Sequence, residues 1–181
     1  MRVYKIQELK DEFLRLNYKW LDFQFIGVRS NKNENNIFDD SFAVVWNKQV
    51  QWFPCTTNAG SYWLLNLMNP KGTALLKPNQ YIDTWSFGRH LGKYKAFVQT
   101  KPVEVYRDKN KNLIAEKSIT LDKGLFGINI HRASENYISK FIDKWSAGCQ
   151  VIQNPNDFKL ILSIAERTMA NTFSYTLLEE F

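Results

Sequence analysis

The order of apolar and polar positions predicts a helix near each end of the chain. Within residues 5–17, apolar side chains recur at close to helical spacing among charged ones, which is typical of an amphipathic helix. A second helix is predicted from Phe158 to about residue 170, with Asn156 or Asp157 as its N-cap. Both helices flank a long middle section that follows a different pattern.

That middle section is strand-like, because short runs of β-branched and aromatic residues alternate with turn residues. The predicted strands are residues 23–29, 42–46, 49–53, 95–99, 103–107, 124–130 and 172–178. The Asn-rich segment 31–36 is predicted to be a loop. No repeat or linker interrupts the chain, so the pattern predicts one mainly-β domain over residues 1–181 with a helix near each end.

Composition agrees with a folded domain of this size. A chain of 181 residues can bury a single core, and 44% hydrophobic with 23% charged residues argues against disorder. The N-terminus has no apolar signal-peptide core, and no run approaches the roughly 18 apolar residues of a membrane span. We therefore expect synthesis in the cytoplasm without a signal peptide, and no membrane insertion.

The net charge of +6 favours anionic partners, among them nucleic acids, lipid headgroups and the acidic polymers of bacterial walls. The densest basic group, Lys109, Lys111 and Lys117, is interrupted by polar and apolar residues. This spacing is more typical of a solvated hairpin tip than of a nucleic-acid patch, so no nucleic-acid partner is expected.

Candidate chemistry lies in a histidine followed by a short cysteine motif. His131 is predicted to end a strand, and Ser146-Ala147-Gly148-Cys149 begins after an interval of fourteen residues. An imidazole can take the proton of a nearby thiol, and Gly148 permits a tight turn at the nucleophile. Backbone N–H groups of Gly148 and Cys149 would then stabilise the oxyanion of an acyl-transfer reaction.

The remaining histidine, cysteine and tryptophan candidates are weaker. Cys55 has no such context and is interpreted as a buried structural thiol. His90, between two glycines, either lines a substrate cleft or lies in a surface loop, and Trp145 is either a sugar or peptide platform or a packed side chain. Because the two cysteines and two histidines lack zinc-site spacing, neither a metal nor another cofactor is expected.

The motif resembles that of the L,D-transpeptidases: a His, a loop of this length, then Ser or Thr, any residue, Gly and Cys. The resemblance implies that Cys149 is the nucleophile, His131 the base, and Ser146 and Gly148 the other motif residues. Further stretches, such as 94–99 and 173–178, look like a phage and bacterial branch of the family. The family implies a β-sandwich catalytic domain, a thioester intermediate and no metal.

The chain departs from the family pattern at three positions. Ala147 stands where the family usually has His, Val151 where Arg or Asn is common, and Arg132 where Gly often follows the catalytic His. Gln150 is the nearest polar substitute, and Arg132 could pair with a carboxylate of the substrate. Hydrolysis and transpeptidation therefore both stay open.

The resulting hypothesis is a monomeric cysteine enzyme that acts on peptidoglycan stem peptides, as an L,D-transpeptidase or an L,D-endo/carboxypeptidase. A phage or prophage lytic enzyme, reaching the wall after lysis, is one setting consistent with the lack of a signal peptide. Arg132, His90, Gln150 and Trp145 are its candidate substrate-binding residues. The alternative is a catalytically idle wall-binding or structural phage protein of the same fold.

Overall fold

The computed structural model describes residues 1–32, 34 and 36–181. Within this part of the chain it has three helices, α1 (Ile6–Arg15), α2 (Ser61–Leu65) and α3 (Pro155–Arg167). Its strands are β1 (Gln24–Arg29), β2 (Asp40–Trp46), β3 (Gln49–Thr56), β4 (Thr73–Leu76), β5 (Asn79–His90), β6 (Tyr94–Gln99), β7 (Val103–Asp108), β8 (Leu121–Gly124), β9 (Ile130–Arg132), β10 (Gln150–Ile152) and β11 (Phe173–Glu179). The prediction of a mainly-β protein is confirmed.

The main sheet is a closed barrel of eight strands, in the order β1-β11-β5-β6-β9-β10-β3-β2. Closure depends on β1, which pairs in parallel with β11 and antiparallel with β2, so that Phe25 lies beside both Tyr175 and Val44. Closing a sheet pairs the edges that an open sheet would expose. The resemblance implied a β-sandwich, whereas here the largest sheet closes on itself.

A second sheet of three strands, β4-β7-β8, packs beside the barrel. β7 and β8 are antiparallel neighbours, so residues 109–120 form the connection of a hairpin. The lysines of that segment are exposed, as expected for a solvated tip. The close contact between this sheet and the barrel lies at Gly148, where an added Cβ would be 2.4 Å from the carbonyl oxygen of Ala74.

Aromatic side chains fill the barrel. The ring centroid of Phe97 lies 4.8 Å from that of Phe25 and 5.0 Å from that of Phe173, in edge-to-face arrangements. Trp85 is fully buried, and its indole N–H donates to the carbonyl oxygen of Ile128 at 2.7 Å. Large rings that interlock in this way fill the interior of an eight-stranded barrel, so the core gives the site a rigid base.

Strands β1 and β2 are buried on both faces because α1 covers the outside of the barrel there. Leu9 and Phe13 of α1 pack with Ile26 and Val28, whose side chains point away from the barrel interior. This explains why β1 lacks the polar and apolar alternation of a half-exposed strand. None of the described helices is long and apolar enough to cross a membrane.

Two predicted boundaries are wrong. The N-cap of α3 is Asn154, whose side chain accepts from the backbone N–H of Asn156 at 2.9 Å, and Pro155 occupies the first helical position. Within the predicted strand 124–130, residues 125–129 are instead coil between β8 and β9, with Gly127 at φ +70°.

One further element was not predicted, and one predicted loop lies partly outside the described residues. Helix α2 was not predicted, because five residues give little periodicity. In the predicted loop 31–36, positions 33 and 35 lie outside the described residues, and the others form turn or coil.

Candidate active site

Parallel pairing of two short strands brings the predicted nucleophile and base together. In β9 and β10, His131 lies opposite Val151 and Ile130 lies opposite Gln150. Cys149 immediately precedes β10, two residues before the Val151 that lies opposite His131. Sγ of Cys149 and one ring nitrogen each of His131 and His90 lie within 4.8 Å of one another.

Cys149 reaches solvent through a cavity. The cavity has a volume of about 510 Å³, and Cys149 is part of its wall although only 9% of the residue is exposed. Cys55, in contrast, is fully buried on β3 and is not a lining residue. The thiol of Cys149 is therefore the one that a substrate in this cavity can reach.

The hydrogen bonds of His131 define its tautomer. Nδ1 lies 2.7 Å from the carbonyl oxygen of Arg132, which can only accept, so Nδ1 carries the proton. The hydroxyl of Tyr94 donates to the same carbonyl at 3.2 Å and packs 3.0 Å from Nδ1. Nε2 is buried and has no hydrogen-bond partner within the described residues. Nε2 therefore carries a free lone pair that can accept a proton.

Burial keeps both partners of this pair neutral. It lowers the pKa of His131 to about 3; His90 lowers it further, and the hydrogen bond to the backbone carbonyl of Arg132 partly offsets this. Burial also raises the pKa of Cys149 to about 11, partly offset by a hydrogen bond from the backbone of Asn129. The resting pair is therefore a thiol and a neutral imidazole, and a thiolate forms only when the proton moves to His131.

The motif residues Ser146 and Gly148 build the turn that holds Cys149. The Ser146 hydroxyl donates to the carbonyl of Cys149 at 2.9 Å and accepts from the N–H of Gly148 at 3.2 Å. Gly148 has φ +123°, a left-handed conformation that disfavours a side chain. Ser146 is fully buried, so it positions the loop and does not contact a ligand in the cavity.

This turn changes the expectation for the oxyanion donors. The N–H of Gly148 is already bonded to Ser146, so it is not free for a substrate. No acceptor within the described part of the chain takes the N–H of Cys149. That amide, next to the reacting sulfur, is therefore a backbone donor available to an oxyanion.

The four expected substrate-binding residues divide into two pairs. His90 and Trp145 line the cavity, and Trp145 is 37% exposed at its rim. Arg132 instead pairs with Glu135 at 3.0 Å, away from the cavity lining. Gln150 is fully buried and accepts from the hydroxyl of Tyr175 at 2.8 Å. Arg132 and Gln150 are therefore not positioned to bind a substrate in this cavity.

The structure adds lining residues that the sequence analysis missed. They are mostly apolar or aromatic and include Trp63, Met68, Leu125, Phe126 and Asn129. Asn129 could have been identified, because it lies two residues before His131 and extended chains repeat their side-chain direction every second residue. Trp63 and Met68 come from a distant segment, and no local pattern points to them.

Two cations also line the cavity, and they differ in their partners. Arg107 is buried and donates to Asp122 at 3.2 Å and to the carbonyl of Gly72 at 3.3 Å. Lys144 is exposed and lies 4.3 Å from the ring centroid of Tyr62, and no carboxylate in the described residues pairs with it. Lys144 is therefore the cation that can bind an anionic group of a ligand.

Comparison with known proteins identifies no family for this chain. No family model matches it, and no curated protein or solved structure matches it significantly.

The cluster of His90, His131 and Cys149 contains ligand types that bind transition metals. It is not the Cys₂His₂ set considered from the sequence, because Cys55 lies elsewhere. The two imidazole rings are stacked, with centroids 3.8 Å apart and planes 18° apart. Nδ1 of His131 is already bonded to the carbonyl of Arg132 and Nδ1 of His90 to the amide of Asn129, so a metal bound by either Nδ1 would replace one of these hydrogen bonds. The arrangement therefore suits proton chemistry better than metal binding.

Proposed function

We propose that this chain is a cysteine acyl-transfer enzyme that acts on peptidoglycan stem peptides, as an L,D-transpeptidase or an L,D-endo/carboxypeptidase. One observation carries the proposal. The thiol of Cys149, in the wall of a cavity, lies near His131, whose unpartnered Nε2 is kept as a lone pair by the bond from Nδ1 to a carbonyl. This is the arrangement that an activated thiol nucleophile needs.

In the first half-reaction, Nε2 of His131 takes the thiol proton while the sulfur attacks a peptide carbonyl carbon. The N–H of Cys149 donates to the oxyanion that forms. The carbon–nitrogen bond then breaks, His131 returns the proton to the leaving amine, and a thioester remains on Cys149. Because burial opposes both the free thiolate and the imidazolium, the proton moves as the sulfur attacks and not in a separate step before it.

In the second half-reaction, water or an amine attacks the thioester. His131 takes a proton from the attacking group, the carbon–sulfur bond breaks, and the proton returns to the sulfur of Cys149. Water gives hydrolysis and an amine gives transpeptidation. The cavity can admit either acceptor, so both outcomes belong to the proposal.

Three features support a stem peptide as the substrate. The first is that the motif from His131 to Cys149 resembles the L,D-transpeptidase signature. The second is Lys144, which lies where it can bind a substrate carboxylate, while Trp63 and Trp145 offer apolar surface to the peptide or the adjoining sugar. The third is the net charge of +6, which favours association with an anionic wall.

The L,D-transpeptidase-like domain, a monomeric state and a role as a phage or prophage lytic enzyme are part of the same proposal. The second sheet, which packs on the barrel beside Gly148, supplies one wall of the cavity through Thr73 and Ala74. In that role the protein would reach its substrate after cell lysis.

Mass spectrometry of defined muropeptides tests the proposal. Wild type and Cys55→Ala should form the same new products, while Cys149→Ala should form none, because only Cys149 faces the cavity. Circular dichroism verifies that each variant is folded. The product masses distinguish a hydrolysed bond from one transferred to an amine.

Turnover by Cys149→Ala equal to that of wild type would exclude this mechanism. If no variant forms product but all sediment with sacculi, the chain is the idle wall-binding protein that the sequence also allows.

A further inference from the structure

The second histidine, His90, lies between His131 and the cavity. It ends β5, opposite Tyr94 in the β5–β6 hairpin, and its ring stacks on that of His131. His90 lines the cavity, whereas His131 is only 1% exposed. A substrate that enters the cavity therefore meets the imidazole of His90 first.

A chain of hydrogen bonds defines the tautomer of His90. The backbone N–H of Gln99 donates to Oδ1 of Asn129 at 3.0 Å, which fixes the orientation of the Asn129 amide. Nδ2 of Asn129 must then donate to Nδ1 of His90, 3.1 Å away. Since Nδ1 accepts, the neutral ring carries its proton on Nε2. No acceptor in the described residues takes this Nε2–H.

The two stacked histidines are thus opposite tautomers. His131 has a proton on Nδ1 and a lone pair on Nε2, while His90 has a lone pair on Nδ1 and a proton on Nε2. One ring can accept a proton and the other can donate a hydrogen bond. The sulfur of Cys149 lies within 4.8 Å of a nitrogen of each.

The reaction creates a need for such a donor. In the resting state Sγ of Cys149 donates to the carbonyl of Gly127 at 3.4 Å. A thiolate has no proton to donate, so that contact becomes unfavourable once the proton has moved to His131. The backbone of Asn129 provides one compensating donor.

We propose that the Nε2–H of His90 donates a hydrogen bond to the Cys149 thiolate during acyl transfer. His90 is then a catalytic residue with a role distinct from that of the base, because it stabilises the sulfur anion while remaining neutral itself. The proposal rests on the proposed function in so far as Cys149 is the nucleophile. It also explains why Asn129 and Gln99 are arranged as they are.

The surroundings of the site are consistent with a neutral donor. Burial and the nearby Lys93 both lower the pKa of His90, which opposes an imidazolium. Tyr94 and Lys93 lie near His90, and Arg132 lies near His131. Arg107 and Lys144 line the same cavity. None of them is a carboxylate that would favour charging His90.

The first test measures alkylation of Cys149 by iodoacetamide at a fixed pH of about 8, well below the thiol pKa, in the purified protein. All proteins carry Cys55→Ala, so one thiol reacts. His90→Leu fills the same space without a donor and should react about tenfold more slowly, the effect of one hydrogen bond to a charged group. His90→Gln keeps an N–H donor and should stay close to the wild-type rate.

The second test observes the tautomers directly by ¹⁵N NMR of the imidazole rings. The chain contains only two histidines, so His90→Gln assigns both sets of resonances. His90 should give the Nε2–H pattern and His131 the Nδ1–H pattern between about pH 6 and 8, both neutral. An Nδ1–H pattern at His90, or a His90→Leu protein that reacts as fast as wild type, would overturn the proposal.

Neither test uses a peptidoglycan substrate. If muropeptides are not turned over but the alkylation rates and tautomers are as expected, the donor role of His90 stands and the proposed substrate is wrong. If muropeptides are turned over but His90→Leu alkylates normally, the enzyme stands and the donor role is wrong.

Discussion

In the proposed reaction one proton moves from the sulfur of Cys149 to Nε2 of His131, and burial keeps it on the sulfur in the resting site. Because burial raises the pKa of the thiol to about 11 and lowers that of the imidazole to about 3, the uncharged pair persists across the intervening pH range. Cysteine enzymes with a resting thiolate–imidazolium pair behave differently, since their activity is lost when the imidazole titrates in the ordinary range.

The first prediction concerns the pH dependence of turnover. We expect kcat/KM for a muropeptide to be nearly constant from about pH 5 to about pH 9, because both His131 and Cys149 keep their working protonation states there. A pH–rate profile measures this. A loss of activity with a midpoint near the usual histidine pKa, about 6.5, would contradict the prediction.

The second prediction concerns Gly148. Replacing it with Ala should abolish turnover and lower the free energy of unfolding by about 3 kcal/mol, because the new Cβ would lie 2.4 Å from the backbone oxygen of Ala74 in addition to the strain of φ +123°. Muropeptide turnover and urea unfolding measure the two effects.

Gly92→Ala is the matched control for Gly148→Ala. Gly92 also has positive φ, +71°, but nothing lies within 4 Å of an added Cβ. Gly92→Ala should lower the free energy of unfolding only by the backbone strain, about 1 kcal/mol. Equal costs at both positions would show that contact with β4 does not matter at Gly148.

At the scale of elements, the sequence predicted periodicity more successfully than boundaries. The apolar residues of α3 recur at helical spacing, so the helix was predicted, but the polar run that precedes it offers several residues able to cap it. Only the three-dimensional direction of the chain decides which side chain reaches the first free N–H groups.

The third prediction tests that cap. Asn154→Ala should lower the free energy of unfolding by about 1 kcal/mol, because its side chain accepts from the N–H of Asn156. Asn156→Ala keeps that bond and should be close to neutral. Urea unfolding of both variants measures the difference. A larger loss of unfolding free energy for Asn156→Ala would instead support Asn156 as the N-cap, as the sequence predicted.

At the scale of the whole molecule, barrel closure buries ionisable groups, and stability becomes dependent on pH. His131 binds fewer protons in the folded state than in the unfolded state, because its pKa is lowered to about 3. Its contribution is therefore fully present above about pH 6.5 and is lost as the pH falls towards 3. Asp39 has the opposite effect, since burial raises its pKa to about 6.

The fourth prediction follows from this linkage. Acidification from pH 7 to pH 4 should bring the unfolding free energies of wild type and His131→Asn closer together, by up to a few kcal/mol, because only wild type loses the histidine contribution. Urea unfolding at several pH values measures it. Asp39→Asn is the control, and the difference between its unfolding free energy and that of wild type should change in the opposite direction on acidification. If the unfolding free energies of wild type and His131→Asn change with pH in parallel, the prediction is contradicted.

The sequence by itself determined the strand-rich character, the two longer helices and the motif that joins His131 to Cys149. These features depend on local periodicity and on spacing along the chain, which a sequence carries directly. It did not determine closure of the barrel, because pairing of β1 with β11 joins residues about 150 positions apart and no local pattern encodes which strands meet.

The tertiary structure alone decided the composition of the site around that motif. It directed Arg132 and Gln150 away from the cavity and brought Lys144, Trp63 and His90 to it, because each position depends on which faces of distant strands and loops come together. The opposite tautomers of the two histidines likewise exist only where Asn129 and a backbone carbonyl meet the rings in the folded chain.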